Sequence, residues 1–96
     1  MTGQRAIEVR ISGRVQGVGF RARTQRKAAV LGVSGWVRNC ASGEVEALFS
    51  GPAEAVEALL DACRKGPRYA NVATVEVVGP AEPRGGPFTI EADRSN

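Results

Sequence analysis

Apolar and polar residues alternate near the start of the chain, over residues 5–12. Ile7, Val9 and Ile11 fall on one side of this segment, and the residues between them are polar or charged. A period of two residues is typical of a strand that buries one face. Because Gly13 follows directly, this first strand is predicted to end there and a glycine-containing loop to begin.

A helical pattern follows that loop, from about Arg21 to residue 31. Ala28, Ala29 and Leu31 are apolar among polar and charged neighbours. Gly32 comes directly after them, and glycine is the residue that most often ends a helix. The pattern therefore predicts a first helix that stops at this glycine.

Four more strands are predicted along the rest of the chain. They occupy residues 33–39, 44–49, 72–78 and 88–92. Residues 40–43, between the first two of these strands, are suited to a hairpin turn. A stretch rich in glycine and proline precedes the last strand and is short enough to be a loop.

A second helix is predicted to begin at Gly51-Pro52, since proline suits the first helical turn, and to end at Gly66-Pro67. Four residues within it follow the i, i+3, i+4, i+7 spacing of a stripe that faces a core. They are Val56, Leu59, Leu60 and Cys63.

The predicted element order is βαββαβ with a short further strand at the end. That order indicates an α+β protein of the ferredoxin-like kind, a two-layer α/β sandwich with two helices on one face of a mainly antiparallel sheet. Residues 1–96 are expected to form this single domain, since no linker or repeat divides them. The fold by itself does not specify a function, because it supports many.

Histidine is absent from the 96 residues, which excludes several kinds of site. Ser-His-Asp and Cys-His catalysis, histidine-bound zinc and a histidine general base all need that side chain. The two cysteines, Cys40 and Cys63, are too few for a four-thiolate metal site. No secretory signal and no apolar run of about 18 residues is present, so we expect a soluble cytoplasmic protein. Reduced thiols are then favoured, although the count alone permits a disulfide.

The formal net charge of +3 is unevenly distributed along the chain. Residues 1–40 contain eight Lys and Arg against one acid, a charge of +7. Residues 41–96 contain five against nine, a charge of −4. The first forty residues therefore favour an anionic partner, although a solvated basic face would have the same composition.

The segment with the most chemical information lies between the first strand and the first helix. It is Gly13-Arg14-Val15-Gln16-Gly17-Val18-Gly19-Phe20-Arg21. It lacks the Lys-Ser/Thr of a Walker loop, and Ala22 takes the place of the third glycine of a dinucleotide-binding loop. Glycines at such a turn still allow successive backbone N–H groups to face one anion, and the positive end of the helix adds to them. With the guanidinium of Arg21 they predict a pocket for one phosphate-sized dianion, against the alternative of a tight turn with a solvated arginine.

This loop, together with Gly35-Trp36-Val37-Arg38-Asn39, resembles the acylphosphatase family. The likeness extends along the whole chain. It includes Leu31-Gly32-Val33, Gly43-Glu44-Val45-Glu46, Gly51-Pro52, Cys63-Arg64-Lys65-Gly66-Pro67 with Val72 and Val75, and Phe88-Thr89-Ile90. The resemblance implies an enzyme that hydrolyses acyl phosphates to a carboxylate and inorganic phosphate.

The resemblance also implies roles for individual residues. Arg21 would bind the phosphoryl oxygens, and Asn39 would orient the attacking water. The backbone N–H groups that would hold the phosphate belong to Val15, Gln16, Gly17, Val18, Gly19 and Phe20. The expected partners are a small acyl phosphate and inorganic phosphate, with no metal ion, organic cofactor, nucleic acid or membrane, and the chain is expected to be a monomer.

The chemistry of acyl phosphates is compatible with a site that has no histidine. The leaving group is a carboxylate whose conjugate acid has a pKa of about 4, so no general acid is needed. Phosphoryl transfer depends mainly on positioning and charge stabilisation, which backbone donors, one arginine and one amide can supply. A phosphate monoester, whose alkoxide leaving group needs a proton, is predicted to be a poor substrate.

Other interpretations remain open from the sequence. Asn39 precedes a hairpin turn, where asparagine often serves the turn geometry. An RNA-binding module would suit the basic first half, but five aromatic residues are few for base stacking. A non-catalytic anion-binding or carbamoyl-phosphate-handling domain, as occurs at the front of hydrogenase maturation factors, is disfavoured because this chain lacks their zinc-finger cysteines and long downstream domains.

Three residues need separate mention. Ala22 stands where the family often has a larger residue, so a more open pocket wall is expected. Ser42 replaces a common aspartate in the hairpin, which should affect the turn more than catalysis. Cys40 follows Asn39, and we interpret it as an ordinary residue next to the turn.

Overall fold

The computed structural model describes residues 3–95, and its element order confirms the predicted one. The elements are β1 (Gln4–Arg14), α1 (Phe20–Leu31), β2 (Ser34–Asn39), β3 (Val45–Pro52), α2 (Ala53–Lys65), β4 (Asn71–Pro80) and β5 (Phe88–Ile90). The strands form one sheet in the order β4-β1-β3-β2-β5, in which only the β2–β5 pair is parallel.

Alternate residues of β1 enter the core as the sequence pattern predicts. Ile7, Val9 and Ile11 are at most 5% exposed and pack in one cluster with residues of both helices. The other face of the sheet is crossed by the loop between β4 and β5, where the Arg84 N–H donates to Ser50 Oγ (2.9 Å) and Ser34 Oγ donates to the Gly86 carbonyl (2.7 Å). The ferredoxin-like two-layer α+β fold is therefore confirmed.

The two helices bury their residues in different ways. In α2 the predicted stripe is confirmed, since all four of its members are at most 2% exposed. In α1 the buried residues are Phe20, Thr24 and Ala28, and the apolar Ala29 is exposed. Thr24 can be buried because its hydroxyl donates to the Phe20 carbonyl at 2.9 Å. Gly32 ends α1 with φ 74, as predicted.

Some predicted boundaries are wrong by one to three residues. Pro52 does not open α2; it has the extended φ −56 and ψ 137, pairs with Gln4 across the sheet and closes β3. The helix begins at Ala53, whose N–H donates to the Gly3 carbonyl at 2.8 Å. Strand β5 ends at Ile90, because its ladder with β2 stops at the Val37–Ile90 pair.

Cys40 and Cys63 are both buried, and neither forms a disulfide. Among residues 3–95, none of the helices has the length and apolar character needed to cross a membrane.

Candidate active site

The loop between β1 and α1 turns through two glycines with left-handed backbones. Gly17 has φ 72 and Gly19 has φ 81, and an added Cβ at either position would meet no atom within 4 Å. The backbone conformation, not the available space, therefore requires glycine at these two positions.

The side chains of the loop are buried or bonded to neighbouring backbone. Val15 and Phe20 are at most 2% exposed and belong to the core, and Val18 packs against that core. The Gln16 side chain donates through Nε2 to the carbonyls of Cys40 and Glu44, both at 2.8 Å.

The N-terminus of α1 adds donors to this backbone. Gly19 is the N-cap residue and has no side chain to cap the helix, and the first turn contains no acidic residue. The first ladder bond runs from the Arg23 N–H to the Gly19 carbonyl at 3.1 Å, so the preceding N–H groups have no partner within the helix. An uncapped helix start of this kind favours a bound anion.

A depression of about 190 Å³ opens beside this loop. It is lined by Val15, Gly17, Gly19, Phe20, Arg21, Ala22 and Ile90. Ala22 lines it as the sequence indicates, and its methyl group occupies little of the wall. The structure thus brings the predicted phosphate loop and the predicted arginine to one concave site.

Arg21 reaches this site with a partly exposed guanidinium. Its side chain is 34% exposed, and Nη1 donates to Asp93 Oδ1 at 3.3 Å. The Asp93 side chain is 66% exposed, so solvent screens this ion pair and an arriving anion can compete for the guanidinium. Sequence reasoning missed Asp93, and no motif around it marks it as a partner of the loop.

Asn39 lies at the end of β2 and is only 8% exposed. Its Oδ1 is buried and has no hydrogen-bond partner among residues 3–95. The hairpin turn after it is closed by other groups: the Cys40 N–H donates to the Glu44 carbonyl at 2.8 Å, and the Gly43 N–H donates to the Cys40 carbonyl at 3.0 Å. A buried amide oxygen without a partner is costly, and the turn after Asn39 is closed without its side chain.

Gln16 connects the loop to the strand end that carries Asn39. Its two hydrogen bonds end on Cys40 and Glu44, the residues at either side of the turn. The loop and Asn39 are therefore fixed to the same hairpin, although the sequence separates Gln16 from Cys40 by 24 positions.

Neither cysteine is poised as a nucleophile. Burial raises the pKa of the Cys40 thiol, and the nearby Glu46 carboxylate raises it further. Burial raises the pKa of Cys63 to about 11. Both thiols are thus protonated and unreactive at neutral pH. In the described part of the chain, no three His, Cys, Asp or Glu side chains group closely enough to hold a metal ion.

Comparison with known proteins gives consistent matches. The acylphosphatase family model matches residues 7–90. An acylphosphatase of Rhodospirillum rubrum is 54% identical over 79 residues, which cover 82% of this chain and 87% of the relative. An acylphosphatase of Azorhizobium caulinodans is 51% identical over 83 residues, 85% of this chain and 89% of the relative.

Solved structures agree with these matches. The acylphosphatase of Bacillus subtilis superposes with a TM-score of 0.84 at 32% identity and covers 93% of this chain and 99% of its own. The acylphosphatase of Coxiella burnetii superposes with a TM-score of 0.86 at 32% identity, and the match covers 92% of this chain and 93% of the other. Full-length HypF superposes with a TM-score of 0.85 at 24% identity, and this chain spans 13% of that larger protein. At this identity the likeness shows the fold alone.

Proposed function

The chain belongs to the acylphosphatase family, whose members hydrolyse acyl phosphates, and on that premise we propose how its own residues perform this reaction. The phosphoryl group binds at the β1–α1 loop, Arg21 neutralises its charge, and Asn39 orients the attacking water. The observation that carries the proposal is the uncapped start of α1, which meets a partly exposed arginine in one depression of about 190 Å³.

The phosphoryl oxygens are bound mainly by backbone N–H groups. Because the loop side chains are buried or tethered elsewhere, the donors come from the main chain of residues 15–20 and cannot rotate away. Donors that are already oriented stabilise developing charge without reorganisation during the reaction. The Arg21 guanidinium adds a planar fork that can contact two oxygens at once, after leaving the Asp93 carboxylate.

Asn39 acts on the water. An amide both donates and accepts hydrogen bonds, so its Oδ1 can accept a hydrogen bond from the water and fix the direction of a lone pair on the water oxygen. The buried Oδ1 without a partner supports this role, because the bound water would satisfy it. The Gln16 tether supports it further by attaching the phosphate loop to the hairpin that begins after Asn39.

The leaving carboxylate departs without protonation, which agrees with a chain that has no histidine and two thiols of raised pKa.

An RNA-binding role is less well supported. The three phenylalanines are buried in the core, and Trp36 has the Arg38 guanidinium 4.6 Å from its ring centroid. Within residues 3–95, the sheet therefore offers no row of free aromatic rings for base stacking.

The test is hydrolysis of benzoyl phosphate in EDTA by the unsubstituted protein and by Asn39→Ala. We expect kcat to fall by about 10²-fold in the variant, with inhibition by inorganic phosphate within a factor of two of the unsubstituted protein, since the loop and Arg21 are intact. Asn71→Ala, which removes an exposed asparagine at the start of β4, is the matched control.

Two results would contradict the proposal. A change in KM at constant kcat would mean that Asn39 contributes to binding and that another group directs the water. Hydrolysis of glycerol phosphate, an alkyl monoester, at a comparable rate would mean that a proton donor operates in the site, since its alkoxide leaving group needs a proton.

A monomeric single domain stays a prediction. Sedimentation equilibrium across the concentration range of the kinetic assays checks the molecular mass, and a dimer at those concentrations would contradict it.

A further inference from the structure

A second polar cluster lies on the face of the sheet opposite the helices. It surrounds a depression of about 150 Å³ that shares no lining residue with the phosphate pocket. Its centre is Glu46 on β3, which is 7% exposed. The Glu46 carboxylate accepts hydrogen bonds from Arg38 Nε at 2.5 Å, Arg94 Nη1 at 3.0 Å and Arg10 Nη2 at 3.4 Å.

Glu46 also contacts the two residues that flank Asn39 in the chain. Arg38 precedes Asn39 in β2, and the thiol of Cys40, the residue after it, lies against the Glu46 carboxylate. Glu46 thus interacts with the side chains on both sides of Asn39, on the face of the sheet opposite the Asn39 amide.

Arg94 fixes the same strand end from its other edge. Its backbone N–H donates to the Asn39 carbonyl at 2.8 Å, and its carbonyl accepts from the Ala41 N–H at 3.1 Å. The side chain of Arg94 meanwhile pairs with Glu46. The ion pair therefore holds the C-terminal segment in the position from which its backbone bonds to Asn39.

The Asn39 side chain extends from the strand end that these contacts hold. Its Oδ1 has no hydrogen-bond partner among the described residues, so no bond through this atom orients the amide. We infer that Glu46 is a positioning residue for Asn39, acting through Arg38, Cys40 and Arg94; the inference rests on the proposed role of Asn39 in the reaction.

The protonation state of Glu46 agrees with this role. Burial alone would raise the pKa of Glu46, but the hydrogen bond from Arg38 and the charges of Arg38 and Arg94 outweigh burial and hold that pKa below its ordinary value. The ion pairs of Glu46 are therefore fully formed above the ordinary glutamate pKa, and they are lost as the pH falls through the lowered pKa of Glu46. The other groups facing the cluster are Arg10 from β1, Glu8 in the same depression, Glu44 at 3.7 Å from Arg10, and the Cys40 thiol.

The experiment compares Glu46→Gln with Glu8→Gln, which makes the same change of charge in the same depression without touching the end of β2. For Glu46→Gln we expect kcat with benzoyl phosphate to fall about tenfold, with KM and phosphate inhibition within a factor of two. The side-chain amide resonances of Asn39 should shift in the NMR spectrum of this variant. Glu8→Gln should leave all of these unchanged.

Two further variants separate positioning from stability. Arg10→Gln removes a contact of Glu46 that does not flank Asn39, so it should lower the melting temperature and leave kcat unchanged. Arg94→Met should lower kcat about as much as Glu46→Gln, and the double variant should be no worse than either single one, because both act on one support. On acidification, kcat of the unsubstituted protein should fall toward that of Glu46→Gln.

The outcomes distinguish this inference from the function beneath it. If Asn39→Ala retains kcat, the proposed role of Asn39 fails and the inference fails with it. If Asn39→Ala loses kcat while folded Glu46→Gln keeps it, or if Arg10→Gln loses kcat equally, the inference alone is overturned. If Glu46→Gln does not fold at the assay temperature, Arg94→Met and Glu46→Asp take its place. Unchanged kcat in Arg94→Met would then overturn the inference.

Discussion

The two helices of this protein differ in the charged residues at their ends. Helix α2 has Glu54 in its first turn and Arg64 and Lys65 in its last, so charged side chains match both ends of its dipole. Helix α1 has no acid in its first turn and no base in its last, and neither helix has a side-chain cap at its N-terminus. Both helices pack on the same sheet, so the difference is not one of location in the fold.

Their buried faces differ in the same direction. Four apolar residues of α2 enter the core, whereas α1 contributes Phe20, Thr24 and Ala28, one of them polar. Helix α2 is therefore arranged for stability. Helix α1 has no acidic residue in its first turn, and its first backbone N–H groups are left for an anion.

The largest expected effect comes from removing the arginine that α1 presents at its first turn. Arg21→Ala should lower kcat/KM for benzoyl phosphate by about 10³-fold and weaken phosphate inhibition, because it removes the one side-chain fork in the pocket. The control is Arg26→Ala, an exposed arginine of the same helix that does not line the pocket. Near-native turnover in Arg21→Ala would refute its role in binding the phosphoryl group.

A smaller effect is expected from the two glycines that bound α1. Gly19 and Gly32 have φ 81 and φ 74, and neither has an atom within 4 Å of an added Cβ. Substitution of either by alanine should therefore cost about 1 kcal/mol in the free energy of unfolding, measured in urea. Gly19→Ala should in addition lower kcat/KM about tenfold, since relief of strain there displaces the phosphate donors. Equal activity in the two variants would show that the loop conformation does not matter for catalysis.

The smallest effect follows from making α1 resemble α2. Ala22→Glu places a carboxylate in the first turn of α1, which should stabilise the protein by about 0.3–1 kcal/mol in thermal unfolding. The same carboxylate lines the pocket and should weaken phosphate inhibition by about fivefold. In the reciprocal variant, Glu54→Gln, stability should fall slightly at constant kinetics. An unchanged inhibition constant in Ala22→Glu would argue against anion binding at this helix end.

Predictions from the sequence succeeded where a local pattern fixes the structure. The alternation over residues 5–12 identified the buried face of β1, and the spacing of four apolar residues identified that of α2. Gly32 ended α1 where predicted. The prediction for α1 itself was weaker, since Thr24 is polar and its burial depends on a hydroxyl bond to the carbonyl one turn earlier, which no apolar periodicity reveals.

The same distinction between local patterns and long-range contacts applies to the candidate site. The glycine loop, Arg21 and Asn39 could be named from motifs, because each lies next to a strand end or helix start that the pattern predicts. The distant residues that contact this site could not be identified from the sequence. Asp93 lies 72 positions from Arg21, and Arg94 lies 48 from Glu46.

The sequence by itself determined the elements, their order and the positions that need glycine, because these features depend on residues a few places apart in the chain. Only the tertiary structure decided that Gln16 would tether the loop to the hairpin after Asn39 and that three arginines would meet on one buried glutamate. Those contacts depend on the order of the strands, on their register and on the path of the chain after β5. Such long-range features arise from packing the whole chain, and no single segment contains them.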